Sequence, residues 1–255
     1  MLVALTRHVS PGIERCELTH VKREPIDVGR AAEQHRAYEL ALEALGCTIL
    51  RLAPEPAMPD SVFVEDTALV LDELAIILRP GVASRRAETA GVASALRPYR
   101  ALASIEDPGT IDGGDILRLG NRFFVGLSGR TNMQAVEQLG ALLAPLDYQI
   151  CPVDLRGCLH LKSAVTQVSE DSVLLNPEWI DRRTFADFAQ ITVDPDEPFA
   201  ANALRIGDAL VYPSEFVRTR AQLDAAGLRV HAVDMSELAK AEGGVTCSSI
   251  LFEVE

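Results

Sequence analysis

The sequence predicts an α/β protein made of five repeated modules around one axis. Apolar, β-branched segments with polar or glycine-rich starts recur at 62–71, 109–127, 159–175, 200–211 and 243–254. Markers in these segments lie 46, 48, 42 and 45 residues apart: Asp66, Asp112, His160, Asn202 and Cys247. A repeat of that length indicates supersecondary units of one kind. In a radial array the first strands converge on the centre, so we expect the markers to share one site.

Hairpin and helix signals give each module the order strand, strand, helix. Three two-residue turns indicate hairpins: Gly120-Asn121 between 116–119 and 122–127, Glu170-Asp171 within 168–173, and Gly207-Asp208 within 204–211. Helical spacing of apolar residues is predicted at 31–45, 84–96, 130–143, 177–188 and 213–226. The first helix ends at Gly46 and the third ends before Pro145.

Composition limits the class of protein. The chain has 255 residues, 48% of them hydrophobic and 24% charged, which is typical of a globular protein. Because no linker or low-complexity segment divides it, we expect a single domain over residues 1–255. The formal charge of −13 argues against a nucleic-acid partner and is compatible with attracting a small cation.

Location and redox state follow from the same composition. The longest apolar runs are far shorter than the roughly 20 residues of a membrane helix, so no membrane association is expected. The first residues lack the apolar region of a signal peptide. Five cysteines, an odd number, indicate reduced thiols rather than a disulfide framework. We therefore predict a cytoplasmic protein.

Cys247 is the candidate nucleophile. It follows Gly243-Gly244, where glycines let the backbone approach a ligand closely. Elsewhere the chain carries His160 and two groups of carboxylates, which together with a thiol suit covalent attack on a cationic carbon. The alternative for His160, in its apolar frame, is an ordinary core histidine. Zinc binding with Cys151 and Cys158 is disfavoured by their spacing and the missing fourth ligand, so no metal is predicted.

The carboxylates and two arginines complete the candidate set. Asp60, Glu65 and Asp66 alternate with apolar residues, and turned inward they would match a guanidinium; the alternative is a solvated edge strand. Asp112 precedes Gly113-Gly114 and would orient a base or accept a substrate N–H, unless the segment is simply a turn. Arg85 and Arg130 open predicted helices, where a ligand carboxylate would offset the unfavourable helix dipole; the alternative is that they reach solvent.

Read together, these segments resemble the dimethylarginine dimethylaminohydrolases, a family of the guanidine-modifying pentein superfamily. The resemblance extends from about residue 18 to the last residues, and seven strings carry it: DSVFVED at 60–66, RPGVASRR at 79–86, PGTIDGGD at 108–115, FFVGLSGRTN at 123–132, LHLKS at 159–163, AAN at 200–202 and GGVTCS at 243–248. The chain departs from the family pattern at Glu242, where Asp is common, and across 12–21.

The resemblance implies a five-bladed, pseudo-symmetric α/β propeller of ββαβ modules that hydrolyses methylated arginines to citrulline without metal or organic cofactor. It implies Cys247 as nucleophile, His160 as general acid and then base, and Asp112 as their carboxylate partner. The implied substrate-binding residues are Asp66 and Glu65 for the guanidinium, Asp60 for the α-amino group, Arg85 and Arg130 for the α-carboxylate, Ala241 in the pocket and Leu18 in a mobile lid. The exposed faces of such a propeller are compatible with a homodimer.

Two rival functions remain open on the sequence. Another guanidine hydrolase of the same superfamily, above all a minimal arginine deiminase, would use the same groups on arginine. Agmatine is a poorer candidate because it lacks the carboxylate that Arg85 and Arg130 would bind, and the amidine-transferring relatives are longer. The rival of another class is a noncatalytic propeller that serves as a binding module, such as the ribosome anti-association factors. Those proteins lack the central cysteine and histidine.

Overall fold

Fifteen strands and six α-helices account for the regular structure of the computed structural model, which describes residues 1–254. The strands are β1 Leu2–Arg7, β2 Thr48–Leu52, β3 Ala68–Val70, β4 Ala75–Ile77, β5 Leu102–Ser104, β6 Ile116–Leu119, β7 Arg122–Leu127, β8 Gln149–Asp154, β9 Val165–Gln167, β10 Ser172–Leu175, β11 Ala189–Thr192, β12 Leu204–Ile206, β13 Ala209–Pro213, β14 Arg229–Val233 and β15 Ile250–Glu253. The helices are α1 Val28–Ala44, α2 Thr89–Leu96, α3 Met133–Leu143, α4 Leu161–Ala164, α5 Val217–Ala225 and α6 Ser236–Ala239.

The strands form five three-stranded sheets of one design. In each sheet the first strand is antiparallel to the second, and the second is parallel to the third. The sheets are β15-β1-β2, β3-β4-β5, β6-β7-β8, β9-β10-β11 and β12-β13-β14. The predicted repeat of two strands is confirmed, and the parallel third strand requires a crossover after each hairpin. One sheet joins the last strand to the first.

Local sequence explains where the elements begin and end. Asp27 caps α1, because its carboxylate accepts a hydrogen bond from the Arg30 backbone N–H, and Gly46 follows the helix in the left-handed region at φ 93°. Asn132 caps α3 in the same way, through the Ala135 N–H. Gly120 turns the hairpin between β6 and β7 at φ 63°, so both predicted strands and their boundaries are confirmed.

One predicted helix is wrong. Residues 177–188 contain a single 3₁₀ turn, Arg182–Phe185, between β10 and β11. The Asp181 side chain accepts hydrogen bonds from the backbone and the guanidinium of Arg183, which favours a local turn over a continuing helix. The predicted helix at 84–96 is divided into a 3₁₀ segment, Ala83–Glu88, and α2.

Buried apolar side chains of residues 1–254 form five clusters rather than one continuous core. In one of them Val136, Leu139 and Leu143 of α3 pack with Phe123 and Val125 of β7. Other contacts cross between modules, since Tyr38 and Leu42 of α1 share a cluster with Val233 of β14 and Leu238 of α6. No helix in this part of the chain has the length and apolarity needed to cross a bilayer.

Candidate active site

Each marker residue lies two to five positions before the first strand of a different sheet. Asp66 lies before β3, Asp112 before β6, His160 before β9, Asn202 before β12 and Cys247 before β15. Because the five modules share one design, these loops occupy equivalent positions in each of them. The periodicity seen in the sequence is therefore a periodicity of the loops that carry the polar groups.

Hydrogen bonds join the five loops into a closed ring. Five bonds form it: Gly114 N to Asp66 Oδ1 at 3.0 Å, Leu161 N to Asp115 Oδ1 at 2.9 Å, Asn202 Nδ2 to Lys162 O at 3.0 Å, Asn202 Nδ2 to Thr246 Oγ1 at 3.0 Å, and Thr246 Oγ1 to Glu65 Oε2 at 2.8 Å. Every bond links one module to the next, and the last returns to the first. The five loops that carry the markers therefore meet.

The loop that carries Cys247 is held from two sides. The thiol sulfur of Cys247 accepts a hydrogen bond from Gly244 N–H at 3.3 Å, and its carbonyl accepts one from Glu65 N–H at 3.2 Å. From α1, the buried Tyr38 hydroxyl donates to the Val245 carbonyl at 2.8 Å. A Cβ on Gly244 would lie 2.4 Å from Asn202 Oδ1, so the loop requires glycine there. The half-buried thiol therefore has a defined position.

His160 pairs with Asp112 beside this thiol. The His160 Nε2 atom lies 3.1 Å from Asp112 Oδ2, and Asp112 Oδ1 accepts a hydrogen bond from Gly81 N–H at 2.8 Å. Burial opposes the charged imidazole, but the carboxylates of Asp66, Asp115 and Asp112 outweigh it and raise the pKa of His160 to about 9. At neutral pH this ring is an imidazolium, which can donate a proton.

The Cys247 thiol is also held in its protonated form, which for a thiol is the neutral one. Burial, with the negative charges of Glu65 and Asp66, raises the pKa of Cys247 to about 12. Its hydrogen bond from Gly244 and the charge of Lys162 only partly oppose that rise. In the ligand-free site the sulfur is consequently protonated at neutral pH, and a bound cation would favour the thiolate.

Asp66 is paired with Arg85 in the interior. Arg85 Nη1 donates to Asp66 Oδ2 at 2.6 Å, and both residues are buried. Burial by itself would raise the pKa of Asp66, but His160 and Arg85 hold it at about 2. Arg85 also donates to Glu88 and to the Phe63 carbonyl, so most of its N–H groups already have partners inside the protein. Arg85 nevertheless lines the inner pocket.

A small inner pocket collects most of the predicted residues. Its volume is about 20 Å³, close to that needed for one water molecule. Seven candidates line it: Asp60, Asp66, Arg85, Arg130, His160, Ala241 and Cys247. The structure thus brings together residues that lie up to 187 positions apart, from 60 to 247. Asp112 lies behind His160, and Glu65 contributes to a second cavity beside the pocket.

The segment 17–21 covers the pocket, and Glu242 holds it. The Glu242 carboxylate accepts backbone N–H groups from Thr19, His20 and Val21 at 2.9, 2.5 and 2.8 Å. Glu242 has a left-handed backbone with φ 60°. Leu18 is half-buried and packs against the neighbouring core cluster, while Thr19 accepts a hydrogen bond from Arg130 at 2.9 Å. From this segment, Glu17 lines the inner pocket, while His20 and Val21 line the cavity beside it.

An outer cavity of about 320 Å³ adjoins the inner pocket. The two share four lining residues: Leu159, His160, Glu242 and Cys247. The thiol and the imidazole therefore stand at the boundary between a small polar pocket and a larger space.

Comparison with known proteins agrees with this geometry. The arginine deiminase family profile matches residues 56–199. The chain is 40% identical to N(G),N(G)-dimethylarginine dimethylaminohydrolase of Streptomyces coelicolor over 97% of this chain and 95% of that one. It is 37% identical to the enzyme of the same name from Pseudomonas aeruginosa, over 89% and 90% of the two chains. This chain belongs to the dimethylarginine dimethylaminohydrolase family.

Solved structures of the family superpose over nearly the whole chain. A cysteine-to-serine mutant of the Pseudomonas aeruginosa enzyme in complex with citrulline aligns with a TM-score of 0.94 and 34% identity, covering 98% of each chain. A histidine-to-glycine mutant of a dimethylarginine dimethylaminohydrolase, as an adduct with S-methyl-L-thiocitrulline, aligns with a TM-score of 0.93 and 34% identity, covering 99% of this chain and all of that one.

The structure adds residues that the sequence alone did not single out. Lys162 Nζ donates to Glu65 Oε1 at 2.5 Å at the edge of the site, and it moderates the negative field at Cys247. Asp115 is fully buried, accepts hydrogen bonds from Ser128 and Thr131, and holds the start of α4 through Leu161 N–H. Both lie inside the strings that carry the family resemblance, but only the fold shows what they contact.

Two aspartates and a histidine lie close enough together to be compared with a metal site. One ligand atom each of Asp66, Asp112 and His160 lies within 4.8 Å of the others. The set does not suit a metal ion, because it lacks a neutral imidazole and both Asp66 oxygens already accept hydrogen bonds, from Arg85 and Gly114. The Asp112 oxygens are engaged likewise, by Gly81 and by a histidine whose raised pKa keeps it cationic. Positive charge at this point comes from the protein itself.

Gly114 offers a test of the position of His160. A Cβ at Gly114 would lie 2.5 Å from His160 Nδ1, so we expect Gly114→Ala to displace the ring. Because a displacement of about 1 Å can cost on the order of 10²-fold in rate, kcat should fall by that amount. The matched control is Gly140→Ala in α3, where the nearest atom to the new Cβ is 3.6 Å away. Equal kcat values for the two variants would contradict the expected contact.

Proposed function

We propose that this protein hydrolyses Nω-methylated arginines, both asymmetric dimethylarginine and monomethylarginine, to citrulline and the corresponding methylamine. The observation that carries the proposal is the inner pocket, where a thiol, a cationic imidazole and buried carboxylates face one small space. Family membership supports it, since relatives at 37% and 40% identity carry the name of that enzyme.

The groups of the pocket suit a substrate with an amino-acid end and a guanidinium end. Asp66, supported by Glu65, would take the guanidinium near Cys247 and His160. Asp60 would take the α-amino group, and the charges of Arg85 and Arg130 would attract the α-carboxylate. Ala241 would pack against the substrate from the segment that leads to Cys247. Since the pocket holds about 20 Å³, segment 17–21, with Leu18, must open before an amino acid can enter.

Substrate binding would activate the nucleophile. The free thiol is protonated, since burial and nearby carboxylates raise the pKa of Cys247 to about 12. A guanidinium held beside the sulfur adds a positive charge there, which favours loss of the thiol proton to solvent. The thiolate therefore forms where its target is already bound.

Two steps of proton transfer by His160 complete the reaction. The thiolate sulfur bonds to the guanidinium carbon, and the imidazolium gives its proton to the departing nitrogen as the C–N bond breaks. A methylamine or dimethylamine leaves, and a Cys247 thiouronium remains. The imidazole, now neutral, takes a proton from water, whose oxygen attacks the same carbon. The C–S bond then breaks, which frees the thiol and citrulline; Asp112 orients the ring throughout.

The finer architecture is part of the proposal. The closed ring of hydrogen bonds through the five loops supports a five-bladed α/β propeller, with residues 1–255 as one catalytic domain. No metal or organic cofactor takes part in the scheme, and neither nucleic acid nor a membrane is a partner. A homodimer and a cytoplasmic location stay predictions from the sequence.

The deciding experiment compares three substrates. We expect citrulline from asymmetric dimethylarginine and monomethylarginine, with arginine turned over much more slowly, and no citrulline in a Cys247→Ser blank. Faster turnover of arginine would replace the proposal with a minimal arginine deiminase. Absence of citrulline from all three substrates would favour a noncatalytic binding module on the same fold.

A further inference from the structure

The outer cavity is larger than the methylated substrates require. Its volume is about 320 Å³, at the lower end of the range for small-molecule pockets. A methyl group is about as large as a water molecule, whose share of liquid volume is roughly 30 Å³, so a methyl group would occupy only a small part. The cavity nevertheless reaches the reacting atoms, because Cys247 and His160 form part of its wall.

The walls away from the reacting atoms are apolar and come from several loops. Phe199, Pro213, Phe216, Met235 and Ala239 line this side. Phe199 is 48% exposed and packs edge-on against Trp179, with ring centroids 5.1 Å apart, so an aromatic ring borders the cavity. Binding of hydrocarbon against such walls is favourable, because it removes apolar surface from water.

The position of the cavity relative to the inner pocket fixes which part of a substrate would enter it. An arginine bound by Asp60 and Asp66 presents its guanidinium to Cys247 at the shared boundary. The substituent on its terminal nitrogen would then extend beyond that boundary, away from the amino-acid end. There the substituent would contact the apolar wall that Phe199, Pro213 and Phe216 help to form.

We propose that the outer cavity binds the Nω-substituent of the substrate, and that arginines with Nω-alkyl groups longer than methyl are substrates of this enzyme. The inference rests on the proposed function and deepens it. The departing amine occupies the same cavity after the C–N bond breaks. Its ammonium form would face the carboxylates of Glu65, Glu215 and Glu242, which outnumber the two cations Lys162 and His160.

The test compares Nω-propyl-L-arginine with Nω-methyl-L-arginine. Each methylene buried in the cavity is worth up to about fourfold in affinity, so we expect a KM about tenfold lower for the propyl compound. Ala239→Leu, which places three further carbons in the cavity, should lower the propyl-to-methyl ratio of kcat/KM about tenfold. The control is Ala93→Leu, at a half-buried alanine of α2 that lines neither cavity, and it should leave the ratio unchanged.

A binding measurement separates this inference from the proposed function. Titration of both arginines into the Cys247→Ser variant should give tighter binding of the propyl compound by a similar factor, whether or not the wild-type enzyme forms citrulline. Tighter binding of the propyl compound, without citrulline from the wild type, would contradict the proposed reaction. It would still support the cavity as the site of the substituent. Citrulline from the methyl compound, with the propyl compound rejected or its ratio unaffected by Ala239→Leu, would overturn the inference alone.

Discussion

Replacement of Cys247 by serine should abolish turnover, with kcat reduced by roughly 10⁴-fold or more. The site offers no strong base for a serine hydroxyl, because the imidazole is already protonated at neutral pH, with a His160 pKa of about 9. The guanidinium carbon is a poor electrophile, since resonance spreads its charge, and it therefore needs a thiolate. Citrulline formation from monomethylarginine, followed with time, measures the loss.

The control for this experiment is Cys151→Ser, at another half-buried cysteine, in β8. We expect its activity to stay within about twofold of the wild type, because Cys151 lies in a different sheet and lines neither cavity. Binding of substrate by the Cys247→Ser variant shows that the pocket is intact. Substantial citrulline formation by that variant would remove Cys247 from the mechanism.

Replacement of His160 by glutamine should lower kcat by about 10² to 10⁴-fold, the usual contribution of general acid and base catalysis. The wild type should also lose kcat/KM as the pH rises through about 9, because the imidazolium that donates to the departing nitrogen is then lost. The glutamine variant has no such group, so its low residual rate should not show that decline. His231→Gln, in β14, is the matched histidine control.

Stability gives a second readout for His160 that does not depend on activity. Its folded pKa of about 9 lies above the ordinary value of 6.5, so the folded state binds the proton more tightly than the unfolded state. The stabilisation is fully present below pH 6.5 and is lost as the pH rises through 9. Denaturant unfolding of the glutamine variant should lack this decrease between pH 7.5 and 9. An unchanged slope would place the titrating group elsewhere.

Features encoded by neighbouring residues were predictable from the sequence. The hairpin at Gly120-Asn121 needs only a left-handed glycine and two β-forming segments, and its strands match the prediction. The helix at 31–45 agrees with α1, Val28–Ala44, because its cap and its terminating glycine are local signals. The failure at 177–188 has a local cause as well, since Asp181 holds a turn that apolar spacing does not reveal.

The sequence indicated which residues lie near one another in the candidate site. It did not indicate the contacts and cavities around them. The period of the markers indicated that Asp66, His160 and Cys247 meet, because repeated modules place equivalent loops together. Nothing in the sequence linked Glu242 to the backbone of 19–21, since that contact joins residues more than 220 positions apart. The outer cavity was equally hidden, because its walls come from loops whose separate sequences show no common pattern.

The pairing of β15 with β1 also has a consequence for synthesis. Cys247 lies three residues before β15, the last of the fifteen strands, and β15 pairs only with the first strand of the chain. While a ribosome is still making the preceding modules, the loop that will carry Cys247 has no following strand to anchor it to β1. A chain that stops before Cys247 therefore lacks the nucleophile of the proposed reaction. The order of the elements thus delays a reactive sulfur until the protein that controls it has been assembled.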